Sequence, residues 1–111
     1  MSEPKRYKIQ YTETAAEDML SKADYIERVY RDSRLSLTWY NRLCNQIEKD
    51  LSVFPLKYQL YEAGDWARKG VREYIFRIDI VLYSVDEDRA AVVIHGVYTR
   101  GKNLAEDTEN E

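Results

Sequence analysis

Three apolar-rich segments follow one another between Val71 and Tyr98 with only short links between them, and this run constrains the fold most. The segments are Val71 to Arg77, Ile80 to Val85 and Ala90 to Tyr98. The first link centres on Asp79 and the second is Asp86-Glu87-Asp88-Arg89. Links this short can join only antiparallel neighbours, so the segments predict a β-meander. Ile80-Val81-Leu82-Tyr83 and Val92-Val93-Ile94 are apolar at successive positions. Such runs suit interior strands covered by helices on at least part of one side. A covering layer must come from elsewhere in the chain.

The preceding sequence supplies that layer. Tyr7-Lys8-Ile9-Gln10-Tyr11 alternates like a half-buried strand. Thr14 to Glu17 then offers a capping box, with Thr12 as a competing N-cap. Ala16, Met19, Leu20, Ala23, Ile26, Val29 and Tyr30 fall on one helical stripe. Arg31 to Arg34 is a polar break in which Asp32 or Ser33 can cap a second helix. Tyr40, Leu43, Ile47, Leu51 and Phe54 carry its stripe, flanked by Trp39 and Cys44. Pro55 drives Phe54 out of helical geometry and ends the helix. Leu56 to Gly70 is expected to be a loop, tacked to the core by Tyr58, Leu60, Tyr61 and Trp66, with turns at Gly64-Asp65 and Lys69-Gly70. The expected fold class is α+β in the order β-α-α-β-β-β. An antiparallel sheet carries a helical hairpin on one face, and its other face stays partly open.

At 111 residues the chain is one domain's worth. It divides into a body, 1–104, and an acidic tail, 105–111, expected to be disordered. The formal charge is −3, yet Glu106, Asp107, Glu109 and Glu111 all fall in the last six residues. Without them the chain carries 16 acids against 17 bases. Arg68, Lys69, Arg72, Arg77, Arg100 and Lys102 gather in the C-terminal half, as an anion-facing patch or as ordinary solvated surface. Cys44 is the single cysteine, which excludes an internal disulfide and a cysteine-based zinc site. No metal or other cofactor is expected. No run reaches the length of a membrane span and the start lacks a signal-peptide core, so a cytoplasmic protein is expected. Ten tyrosines suit a thin fold, where a ring can fill a core edge while its hydroxyl stays satisfied.

Several pieces together resemble the RelE/ParE family of bacterial toxins. The run from Tyr7 to Met19, YKIQYTETAAEDM, looks like the family's first strand and helix. Asp24-Tyr25-Ile26, Ile47 to Pro55 (IEKDLSVFP), Gly70-Val71-Arg72, Ile80 to Val85 and Ile94 to Arg100 resemble later landmarks in the same order. The likeness spans about residues 7–103. It implies the toxin component of a type II toxin–antitoxin system, with a cognate antitoxin as partner in a heteromeric complex. The expected target is DNA gyrase, as in ParE-like members, which are not enzymes in the ordinary sense. The alternative is a RelE-like endoribonuclease that cuts mRNA on the ribosome. A third reading is a decayed toxin that only binds antitoxin.

Cleavage through the 2′-hydroxyl needs a base, cations on the phosphate and an acid for the leaving oxygen. The candidates are Arg72, Arg100, Tyr98 and His95. Arg72, Arg77, Arg100 and Lys102 are the candidate target- or antitoxin-binding residues. Each has a plainer reading. His95 in a strand suits a packed histidine, Tyr98 a core-edge aromatic, and Arg72 an ion pair with Asp79 across the hairpin. Two departures argue against a nuclease. Ile80 stands where the resemblance implies an Arg, and Leu104-Ala105-Glu106 stands where it implies a Tyr. A pI near 5.3 also suits a ribosome-bound nuclease poorly.

Overall fold

A computed structural model describes residues 3–99. Its order is β1 (Lys8–Tyr11), α1 (Glu13–Tyr30), α2 (Ser33–Leu51), a short 3-10 turn (Pro55–Lys57), β2 (Arg72–Phe76), β3 (Asp79–Asp86) and β4 (Ala91–Thr99). Thr12, not Thr14, caps α1, accepting from the Ala15 amide at 3.0 Å. The helix closes at Arg31, which adopts a left-handed conformation. Asp32 caps α2, accepting from the Arg34 amide at 2.8 Å. Phe54 lies left-handed, with φ 51°, immediately before Pro55. The expected acidic tail lies outside the described residues.

The sheet order is β1-β4-β3-β2. The meander is antiparallel as expected, with Tyr83 opposite both Arg72 and Ile94. The sheet differs from the expectation in one respect: it is mixed, because β1 runs parallel to β4. Short links force antiparallel pairing only within the meander. The helical hairpin separates β1 from β4, so no tight turn dictates their relative direction. Their register places Tyr11 beside Ile94.

This parallel pairing sends α1 forward along β4. The Thr12 amide donates to the Ile94 carbonyl at 3.0 Å, the Val97 amide donates to Asp18 Oδ2 at 3.0 Å, and Lys22 reaches Asp79, the partner of Thr99. Helix and strand therefore advance together. From Ile94 to Thr99 the strand advances about 16 Å, whereas the 18 residues of α1 advance about 27 Å. The far end of the helical hairpin must then project past the sheet by about 10 Å.

The core follows from that offset. Tyr74, Val81, Tyr83, Val92, Ile94 and Val97 face Ala15 and Met19 of α1 and Leu43, Ile47 and Leu51 of α2. Each fully buried aliphatic side chain here contributes about 1.5–3 kcal/mol. The α1 stripe is only partly used. Met19 is buried, but Val29 and Tyr30, at the far end of the helix, are exposed, at 52% and 63%, and Leu20 is turned away from the sheet. The expected stripe is thus longer than the sheet that could cover it. Phe54, expected on the α2 stripe, is also exposed. No described helix is long and apolar enough to cross a membrane.

Polar ties join the layers. Tyr83 donates to the Pro55 carbonyl at 2.5 Å, Tyr74 to Asp50, and Tyr7 to Glu87. Asp79 is not in the turn but begins β3, where it is 2% exposed. It accepts from Lys22 of α1 and, at 2.9 Å, from Trp39 Nε1 of α2. One carboxylate therefore ties both helices to the end of the meander. Removing one member of a buried ion pair strands the other charge. Asp79→Ala is expected to cost about 3–5 kcal/mol in urea unfolding, and Asp79→Leu combined with Lys22→Met clearly less. Equal losses in the two proteins would show that the pair does not lock the layers.

Candidate functional site

Of the residues singled out from the sequence, Arg72, Arg77, His95 and Tyr98 fall within the described residues. Arg72 faces the core side of the sheet, opposite Tyr83. Its guanidinium donates to the Tyr58 carbonyl at 2.6 Å. That bond holds the loop strand whose Leu60 bridges to Arg72 along the outer edge of β2. The suggested pair between Arg72 and Asp79 does not form, since Asp79 is held by Lys22 and Trp39. Arg77 sits in the β2–β3 turn with φ 59°, its guanidinium 5.4 Å from the Phe76 ring centroid. Arg100 and Lys102 lie outside the described residues.

His95 occupies a bulge in β4, where the register shifts between Leu82 and Tyr83. Its Nε2 is 2.7 Å from Ser84 Oγ, and its ring lies 6.3 Å from that of Trp66. Ser84 alternates with Tyr83 along β3, so His95 lies on the sheet face opposite Arg72. Burial holds its imidazole below the ordinary value of 6.5. Trp66 folds across this second face, which is therefore less open than expected. Tyr98 is half-exposed, opposite Ile80. Burial raises its phenol, and the Asp18 carboxylate and Tyr61 add to the effect. Among the described residues, Arg72 thus faces the core side of the sheet, while His95 and Tyr98, the partner of Ile80, lie on its second face.

What the fold does assemble is a groove of about 930 Å³ beneath the projecting end of the hairpin. Tyr25, Ile26 and Tyr30 of α1, Leu35 and Trp39 of α2, Ile78 of the β2–β3 turn and Tyr98 of β4 line it. Tyr30, Leu35, Ile78 and Tyr98 are 46–63% exposed, a large apolar surface for so small a chain. Asp18 and Lys22 supply polar positions on its wall. Gly96 permits this junction: a Cβ there would stand 3.2 Å from the Tyr98 hydroxyl and 3.3 Å from Asp18 Oδ2. Sequence reasoning missed the groove. Its trace in the sequence is the length of the α1 stripe, which becomes a signal only once the sheet's reach is known.

No protein-family model and no curated protein matches the sequence. Solved structures do match. The toxin–antitoxin complex RelBE2 from Mycobacterium tuberculosis contains a chain 21% identical to this one, with a TM-score of 0.61 over 87% of this chain and 94% of that one. The chromosomal ParDE system from P. aeruginosa contains one 16% identical, with a TM-score of 0.68 over 86% and 97%. The chain has the RelE/ParE fold. The likeness spans nearly the whole of each matched chain, and the strand–helix order is roughly consistent with theirs.

The groove's largely apolar lining is suited to holding an apolar segment. Arg72→Ala is expected to lower stability by about 1–3 kcal/mol, because the Tyr58 carbonyl loses its donor. An unchanged urea midpoint would make Arg72 a free surface cation instead. For His95, a folded-state pKa below the unfolded one means the folded chain binds fewer protons. Its stabilisation is complete above the unfolded value and is lost as pH falls through the folded one. Wild type should therefore lose stability relative to His95→Gln as pH drops below about 6.5, and NMR should show His95 titrating below 6.5.

Proposed function

We propose that this chain is the toxin of a type II toxin–antitoxin pair, that it arrests growth by gripping DNA gyrase, and that its antitoxin neutralises it by laying a segment along the groove under the helical hairpin. The observation that carries this reading is the groove itself, placed on a RelE/ParE fold. Its exposed Tyr30, Leu35, Ile78 and Tyr98 offer apolar anchors to an amphipathic segment. A segment that folds as it docks can wrap such a surface.

Binding is preferred to RNA cleavage on the placement of the candidate catalytic groups. Arg72 is committed to the Tyr58 carbonyl, and His95 packs on the opposite face against Trp66. Ile80 occupies the middle-strand position where a nuclease would need a cation. A decayed toxin would keep the groove but not the growth arrest.

Induction in a bacterial host is expected to stop growth, block supercoiling by purified gyrase and raise a DNA-damage response. Rapid loss of full-length mRNA with normal supercoiling would instead assign a ribosome-dependent endoribonuclease. No arrest from soluble, folded protein would sink both readings. Leu35→Glu and Ile78→Glu alter exposed positions, so each should shift stability by no more than about 0.5 kcal/mol. Each is expected to abolish rescue by the co-expressed antitoxin. Full rescue of both variants would place the antitoxin elsewhere.

A further inference from the structure

The groove lies at the Thr99 end of β4. At the Ala91 end, about 26 Å away along extended chain, the segment leading into β1 meets the end of α2, where the Tyr7 amide donates to the Ser52 carbonyl at 2.9 Å. Here Phe54 holds its left-handed conformation immediately before Pro55. A side chain with a Cβ is disfavoured in that region, because the Cβ crowds the following carbonyl. The neighbours of Phe54 are pinned on both sides. Leu51 and Pro55 are buried, and the Pro55 carbonyl accepts from the Tyr83 hydroxyl at 2.5 Å. The ring itself is 63% exposed and stands outside the core. Folding alone would be served better by glycine at this position. Backbone strain without a packing role collects at binding sites.

Phe54 borders a pocket of about 330 Å³, completed by Lys5, Tyr7, Pro55, Leu56 and Lys57. Leu56 is also exposed, so two large apolar side chains stand open beside the concavity. The rim is basic. Lys57 forms no ion pair among the described residues and stands 5.2 Å from the centroid of the Tyr58 ring. Lys5 lies 4.0 Å from Glu87, at the outer limit of an ion pair, with its side chain 52% exposed. The carboxylates near these lysines have other donors: Glu87 accepts from Tyr7, and Asp50 accepts from Tyr74 and Gln46.

We propose that this pocket docks a short acidic segment of a protein partner. One large apolar side chain of the segment enters against Phe54 and Leu56, and Asp or Glu on either side of it meets Lys5 and Lys57. Charge selects this occupant. A second copy related by a two-fold axis would bring the same lysines face to face, and like charges oppose such a contact. A lipid surface takes up the apolar face of a helix lying flat on it, whereas Phe54 and Leu56 flank a concavity at the end of the sheet. The pocket is separate from the groove, and its occupancy does not depend on the toxin reading.

The test pans a phage-displayed library of short random peptides against the full-length chain. Binding of the enriched peptides, made synthetically, is then measured by calorimetry and amide NMR. Enriched sequences are expected to carry one large apolar residue between acidic ones. They should shift the amides of Tyr7, Leu56 and Lys57 and leave those of Tyr30 and Ile78 in place. Phe54→Gly should weaken binding roughly tenfold or more without lowering Tm, since glycine accepts the left-handed backbone. Lys5→Glu combined with Lys57→Glu should weaken it by a similar factor, and added salt should weaken wild-type binding. No enrichment over the Phe54→Gly chain, enrichment of basic or wholly apolar sequences, or shifts confined to the groove would each overturn the proposal. So would a lowered Tm in Phe54→Gly, which would give the ring a structural duty. Tighter binding to phosphatidylglycerol vesicles than to any enriched peptide would assign the surface to a membrane instead.

Discussion

The direction of one short strand sets most of this architecture. β1 has four residues, yet by pairing parallel to β4 it aims α1 along the strand instead of back across it. An antiparallel β1 would have started α1 near the opposite end of β4. The Thr12 cap, the Asp18 carboxylate on the Val97 amide and the Lys22 contact with Asp79 are successive marks of that shared course. Once the course is fixed, the helices outrun the sheet, and their apolar residues divide into a buried half and an exposed half.

The buried half gains definition from polar ties at its margins. Asp79 collects donors from both helices. Tyr74, Tyr83 and Tyr7 each pass a hydroxyl to a different element: Asp50 at the end of α2, the Pro55 carbonyl, and Glu87 in the β3–β4 turn. Burial raises the Tyr74 and Tyr83 phenols, so both stay neutral donors. Asp50 shows the reciprocal balance. Burial alone would raise its carboxyl, but the bonds from Tyr74 and Gln46 hold it below its ordinary value. A tyrosine-rich chain of this size can thus fasten thin layers without a disulfide.

Local rules made part of this legible in the sequence. The meander followed from short links, the start of α2 from Asp32, and the packed character of His95 from its place in a strand, whereas α2 ends at Leu51, before the stop expected at Pro55. Features set by distant segments were harder to read. The parallel β1 depends on an edge of β4 that lies 83 residues away, and no local periodicity encodes that choice. Asp79 looked like a turn residue because its partners, Lys22 and Trp39, come from two remote helices. The groove was hard to read for a related reason: it is made of ordinary apolar residues whose meaning depends on what fails to cover them. Arg72 shows the converse, a cation with the right residue type and an inward, structural duty.

The projecting end of the hairpin contributes little to the core, and this separates two kinds of change. Inserting or deleting a full turn in both helices beyond Lys22 and Trp39 would move the tip by about 5 Å and leave every buried layer in place. The reach and chemistry of this apolar surface can therefore vary while the folding unit remains fixed. The hairpin behaves as a cantilever, with its root in the Asp79 cluster and its free end open to respecification.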